Sequence, residues 1–526
     1  MKRKVIALLI VLVMTLGLAA CGGSGTNSSP SSSSSPSSGS SPAGGSPSSA
    51  PSGKKVEISV AFGAMANGLD PISEDVNTTI SICNHFYDRL LELDGDLNLN
   101  PAVAKSWKQV SDTSYEFEIN LDYKFSNGDP LTMDDVIYSI ERLSTIPKSA
   151  DTGNRIDSVT ADGNTLTITL KQHDNSIIYN IIGFSHIVNK AYITANGDDA
   201  IYLHPIGTGP YKVTEFTPGT SVTLETWDGY PFQKPQIDII HITAIADSAN
   251  RYIAVETGQL QYAGLVTAME IPLAEKNPDL ATLQVESNMI IPLAFNCEKA
   301  PFNDVNVRRG IVSAIDFKGL LALNGGREGI GSVLFAGFKD VYVDSPNFPE
   351  YNLDTAKQLL SAAGYTPDNP LTMETIYFRP DPGIEFIQSS LKSVGVNLVP
   401  NQLEFSVFLQ QEAAGEYDAD WTSNPNRGGH WLPDLDRLDY DNYLGQRNLC
   451  RWRNQRVQDL IAELRTTTDQ AVIKADTYEI NGIIGQEVPI VALYLQPILS
   501  VFTKNLTGVT ILPNLQQSFR NAVYTG

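Results

Sequence analysis

Between Gly22 and Gly53 the chain is almost entirely Ser, Gly and Pro. A segment of that composition cannot bury enough apolar surface to offset the entropy of ordering it. Whatever folds must therefore start near Lys54 and build its cores from residues 54–526. The stretch over residues 21–54 reads as a tether, with a typical end-to-end distance of roughly 30 Å.

Lys2, Arg3 and Lys4 precede an apolar run from Val5 to Leu18, which ends in Leu18-Ala19-Ala20-Cys21. A basic start, a short apolar core and small residues before a cut site describe a secretory signal, expected over residues 1–20. The run is shorter than the roughly 20 residues a bilayer-spanning helix needs. The Leu-Ala-Ala-Cys ending resembles a bacterial lipobox, which implies cleavage before Cys21 and lipid attachment to its sulfur. The expected location is the extracellular face of a cell membrane, with the lipid as the only membrane contact.

The formal charge of −22 argues against nucleic acid and against direct adhesion to anionic lipid. Residues 54–526 are long for one domain at roughly 100–200 residues per domain, so two or three lobes are expected. Cys83, Cys297 and Cys450 are far apart, and no Cys-x-x-Cys occurs. They read as small buried side chains, with one disulfide as the alternative. The sequence has no Gly-x-Ser-x-Gly, no His-Glu-x-x-His and no P-loop, so no enzyme, metal or cofactor is expected.

Short strands alternate with helices. Val56–Phe62 and Tyr115–Leu121 alternate as strands, and Asp162-Gly163 marks a hairpin. Ile80, Cys83, Phe86, Tyr87, Leu90 and Leu91 repeat at helical spacing. Thr132 and Asp135 form a capping-box start for a helix over Asp134–Leu143, which carries Arg142 well away from any expected cleft. Val307–Ile315, Leu359–Ala363 and Val457–Leu464 are further helical faces. A helix through Ile387 and Leu391 should stop at Gly395, before the strand Val396–Val399. This alternation predicts α/β lobes with mixed sheets.

Several ordered groups resemble the family 5 extracellular solute-binding proteins, the peptide, nickel and related receptors of ABC importers. They are Leu69-Asp70-Pro71 with Tyr87-Asp88-Arg89-Leu90, Pro101 to Trp107, Phe125 to Thr132, and Pro205 to Tyr211. Asn296 to Asp316, Ala356 to Tyr365, Leu391 to Val396, and Tyr417-Asp418 with Trp421 follow in order. The resemblance implies a two-lobed, periplasmic-binding-protein-like α/β fold of type II, in its large three-subdomain form, with a ligand cleft between the lobes. Lobe I is expected over residues 55–91, 201–295 and 490–526, its extra subdomain over 92–200, and lobe II over 296–489.

The resemblance also implies partners: an ABC permease and ATPase subunits, with the receptor itself a monomer. The expected ligand is a peptide or similar small solute. A nickel chelate, a sugar or an anionic solute is the alternative within the family, and a tethered secreted hydrolase the alternative outside it. Trp421 to Asp434 is dense in aromatic and polar groups, and in the family this segment lines the pocket. Candidate contacts are Trp421, Asn424, Asn426, Arg427, His430 and Trp431. Arg379 and Phe62, each near a strand end, complete the set. Trp faces stack on flat or cationic groups, while amides and guanidinium fix orientation. Peptide-binding relatives often place an Asp just past the Trp, where this chain has Thr422-Ser423-Asn424.

Overall fold

The computed structural model describes residues 54–526, apart from 74–76, 148, 326, 329–332, 335–336, 339–340, 344, 423–428 and 445–446. Cys21, the signal and the tether lie outside the described residues.

A seven-stranded mixed sheet has at its centre the strand Glu57–Phe62. That strand runs parallel to Ile239–Ala244 on one side and to Tyr262–Gly264 on the other. Antiparallel strands complete the sheet: Ser221–Thr226 and Tyr211–Thr217 at one end, Ile498–Thr503 and Leu280–Val285 at the other. Val60, Ile240, Ile242 and Tyr262 bury one continuous core with Phe62 and Phe519.

A second, six-stranded sheet holds Ile290–Phe295 and Ile490–Leu495, both buried along their whole length. Leu371–Tyr377 runs parallel to Val396–Gln402 and to Ala419–Asp420. The helices Val305–Ser313, Leu353–Ala362 and Pro382–Ser393 bury Val307, Ile311, Leu360 and Ile387 in the core of this sheet. A separate four-stranded antiparallel sheet runs Ala104–Ser111, Ser114–Ile119, Thr165–Leu170, Ile156–Asp162.

The chain passes between the two large sheets through residues 286–289 and 496–497. The crossings are bonded to each other: Gln496 N–H donates to the Met289 carbonyl at 3.0 Å, and the Ser287 hydroxyl donates to the Gln496 carbonyl. Asn288 N–H donates to the Pro513 carbonyl at 2.8 Å. Ile290–Phe295 and Ile490–Leu495 were expected in the first lobe and belong instead to the second sheet. Their uninterrupted apolar runs bury on both faces and so suit a central position.

Local signals hold. Thr132 Oγ1 accepts from Asp135 N–H at 3.3 Å, and the Asp135 carboxylate accepts from Thr132 N–H at 2.9 Å, opening the helix Met133–Glu141. Gly163, Gly364 and Gly395 have positive φ at the hairpin and at the two helix ends. Cys83, Cys297 and Cys450 are free thiols. The helix expected to reach Leu91 spans only Asn77–Phe86. Beyond it, Asp88 N–H donates to Thr208 Oγ1 at 3.0 Å and Asp88 pairs with Arg520 at 2.7 Å, which draws the backbone out of the helix. The apolar residues Leu90 and Leu91 enter the core beside the four-stranded sheet instead.

Gly207 and Gly209 press on the end of that helix. A Cβ on Gly207 would lie 1.9 Å from the Phe86 carbonyl oxygen, so only glycine fits there. Arg142, expected away from the cleft, is buried and grips Asp70 with two hydrogen bonds of 2.9 and 2.7 Å. Removing one partner of such a pair strands the other in low dielectric. Arg142→Ala and Asp70→Ala should each cost about 3–5 kcal/mol in denaturant unfolding. The double variant should cost far less than the sum, and additive losses would refute the pairing.

Candidate functional site

Two sets of parallel strands end in loops at their carboxyl edges, where open α/β sheets place their ligands. In the first sheet these loops follow Phe62, Ala244 and Gly264. Arg251, from the helix Ser248–Glu256, pins two of them. Its Nη1 donates to the Ile245 and Ala246 carbonyls at 2.6 and 2.9 Å, and its Nη2 to Leu265 at 2.7 Å. Burial lowers its pKa, and Glu270 and Asp247 oppose that shift only through space. Carbonyl dipoles thus solvate this buried charge and hold the rim of the first sheet rigid. Phe62 lies under the rim, 2 % exposed, edge-on to Tyr262 at 6.4 Å. It supports the loop from the core side.

In the second sheet the loop Phe378 to Asp381 follows Leu371–Tyr377. Phe378 is clustered with Phe405 and Phe408, at 4.9 and 5.2 Å between ring centroids. The Arg379 guanidinium lies 5.0 Å from the Phe378 centroid, on a side chain that is exposed as a whole although protein crowds its charged end. Crowding by surrounding protein lowers its pKa, and no carboxylate offsets this. Among the described residues Arg379 has no acidic partner. It is a charge held ready in an acidic chain.

Asp381 closes the loop and caps the helix Pro382–Ser393: its Oδ1 accepts from Gly383 N–H at 2.7 Å. Its Oδ2 accepts from the Trp421 indole N–H at 2.9 Å and from the Tyr494 hydroxyl at 2.5 Å. Trp421 is consequently turned inward. It is 4 % exposed, packed within the core of the second sheet, with its N–H satisfied. The stacking face expected from the sequence is covered by protein in this structure. Asn424, Asn426 and Arg427, with Gly428, lie outside the described residues.

His430 and Trp431 are half-buried. The His430 ring sits 4.9 Å from Tyr179 and 5.1 Å from Trp431. Leu432 N–H donates to His430 Nδ1 at 3.2 Å. Burial brings its pKa down to about 4 against the pull of Asp174, so the ring is neutral at pH 7. Tyr179 belongs to a helix packed on the four-stranded sheet, so His430 and Trp431 stand where that subdomain meets the second lobe. The same contact includes Arg155 to the Tyr443 hydroxyl and Asn175 N–H to the Arg465 carbonyl at 3.1 Å. No group of three or more metal-ligating side chains occurs among the described residues.

Sequence reasoning missed Asp381, Tyr494 and Arg251. Only Asp381 left a local trace, as an Asp before Pro382-Gly383 at a helix start. It also missed a buried acid pair, Glu412 and Asp420. Burial raises both, and their mutual repulsion raises Glu412 further, to about 9, with Asp420 at about 7. The nearby Thr422 favours the Asp420 carboxylate without making a well-formed hydrogen bond to it.

The chain belongs to the bacterial extracellular solute-binding proteins, family 5, whose model matches residues 98–441. Among its relatives is the glutathione-binding protein GsiB of Escherichia coli strain K12, 26 % identical over 509 residues, covering 89 % of this chain and 94 % of that one. A dipeptide-binding protein from Pseudoalteromonas sp. SM9913, solved with Met-Leu, superposes with a TM-score of 0.79 at 20 % identity, over 89 % of this chain and all of that one. NikA of Staphylococcus aureus, solved with Ni(L-His)2, superposes at 0.76 with 20 % identity, over 89 % and 100 %. The fold is the two-lobed, periplasmic-binding-protein-like α/β form, and the family and its neighbours are binding proteins. No helix among the described residues is long and apolar enough to cross a membrane.

A carboxyl whose folded pKa is raised binds more protons folded than unfolded, so its contribution is full below the unfolded pKa and is lost as pH rises through the folded one. For Glu412 and Asp420 that window runs from about pH 4 to about 9. His430, lowered, works in the opposite sense: its contribution is present above pH 6.5 and lost as pH falls through about 4. Wild-type melting temperature should therefore fall between pH 7 and 9. Glu412→Gln, which mimics the protonated acid, should flatten that fall, by up to about 1.4 kcal/mol per pH unit for one proton. Identical pH profiles would show that the pair does not titrate in this window.

Proposed function

We propose that this chain is a lipid-anchored receptor that captures a peptide, or a similar small solute carrying a carboxylate, for the permease and ATPase subunits of an ABC importer. The observation that carries this reading is Arg379. Its guanidinium has no acid partner among the described residues and lies over Phe378, on an exposed residue at the carboxyl edge of parallel strands. A bidentate fork in that position suits a carboxylate. Membership of family 5 and the likeness to a glutathione-binding relative support the solute class. Asn424, Asn426 and Arg427 would complete the pocket. His430 and Trp431 would close it from the side where the extra subdomain meets the second lobe.

In this reading the chain catalyses nothing, and binding energy goes into closing the two lobes about the crossings at 286–289 and 496–497. The ligand favours the closed state through the contacts it gains there. The lipid on Cys21 would hold the receptor at the membrane face as a monomer, within reach of its permease.

A screen of di- to pentapeptides, glutathione, a nickel–histidine chelate and small oligosaccharides should find a peptide that stabilises the protein by about 2.7 kcal/mol at one hundred times Kd. Arg379→Gln should weaken that peptide about thirtyfold, equivalent to about 2 kcal/mol. Stabilisation by the chelate or sugar alone, or undiminished peptide affinity in Arg379→Gln, would count against the carboxylate reading. Trp421→Ala should instead lower global stability by about 3–5 kcal/mol, as a buried aromatic does.

Anchoring is tested separately. Wild type should fractionate with membranes and incorporate labelled palmitate, and Cys21→Ala should do neither. An unlabelled, soluble wild type would refute it.

A further inference from the structure

The Trp421 indole N–H can only donate. The Tyr494 hydroxyl also donates here, because burial and the Asp381 charge raise its pKa well above the ordinary value and keep it protonated. Both converge on one oxygen, Oδ2 of Asp381, while Oδ1 caps the helix Pro382–Ser393. One carboxylate thus joins three pieces of structure. The first is the loop that presents Arg379, two residues before it. The second is Trp421, at the start of the candidate pocket segment. The third is the buried strand Ile490–Leu495, where Tyr494 stands just before the crossing at 496–497. Tyr494 is 3 % exposed and Trp421 4 %, so water does not readily replace the carboxylate for either donor.

We propose that Asp381 is a positioning residue for ligand capture, holding the Arg379 loop in register with the hinge strand so that the guanidinium meets the ligand carboxylate as the lobes close. This rests on the reading of Arg379 given above. The chemistry requires the full carboxylate. An amide at this position has a single acceptor oxygen, which can serve either the helix cap or the Trp–Tyr pair. Its NH2 would then face a donor. Tyr494→Phe removes only one hydroxyl from the cluster and leaves the cap, the indole bond and the core volume in place.

The test compares two pools in the full chain: di- to pentapeptides with free carboxyl termini, and the same peptides as carboxyl-terminal amides. Wild type should prefer the free acids by about thirtyfold. Arg379→Gln should abolish that preference. Asp381→Asn and Tyr494→Phe, in protein whose melting curve remains cooperative, should each reduce the preference at least threefold. Neither should reduce it further in the Arg379→Gln background. A purely structural role would weaken both pools equally and leave the ratio intact. That result, with Arg379→Gln still abolishing the preference, would overturn this inference and leave the carboxylate reading standing. An unchanged ratio in Arg379→Gln, or no binding of either pool by wild type, would overturn both.

Discussion

The pair of crossings between the two large sheets, joined by the bond from Gln496 N–H to the Met289 carbonyl, is the constraint on which the rest of the molecule depends. Each crossing leads into a strand buried along its length, Ile290–Phe295 or Ile490–Leu495. Those strands cannot slide without exposing apolar surface, at about 25 cal/mol per Å². The permitted motion is bending at the few residues between strands, which is how hinged lobes close. The carboxyl-terminal segment braces the same place. Pro513 accepts from Asn288, Ile511 and Leu515 enter the second core, and Gln517 reaches Tyr262 of the first sheet.

On the first-sheet side of that hinge, buried charges keep the lobe stiff. Asp70 with Arg142 and Asp88 with Arg520 are paired and largely desolvated, and Arg251 donates its hydrogen bonds to backbone carbonyls. Such groups are costly to break and so hold their loops in one arrangement. Against this background Arg379 stands out among the described residues as an arginine that is exposed as a residue and has no acid partner. A stiff lobe, a short hinge and an unspent positive charge at a strand edge are what capture of an anionic group by closure requires.

Features set by neighbouring residues were legible in the sequence. The Thr132–Asp135 capping box, the Asp162-Gly163 hairpin and the glycine stops at Gly364 and Gly395 each need only a few adjacent side chains. The ordered family groups made the overall fold legible as well. What the sequence hid was set by distant partners. The helix Asn77–Phe86 ends early because Thr208 and Arg520 claim Asp88. Arg142 is buried because Asp70 waits for it across the core. Trp421 turns inward because Asp381, on another element and itself held by the Tyr494 hydroxyl, accepts its N–H. A residue rich in ligand-binding chemistry can equally be a core residue with a satisfied donor, and only the fold decides between them.

The central claim is that carboxylate capture at Arg379 drives closure about the 286–289 and 496–497 crossings. Small-angle X-ray scattering on the full chain, with and without a saturating peptide from the screen, tests it most directly. The account predicts that the radius of gyration falls when peptide binds wild type, and that Arg379→Gln at the same peptide concentration stays at the unliganded value. Peptide bound to wild type with no change in radius, or equal compaction in Arg379→Gln, would contradict it.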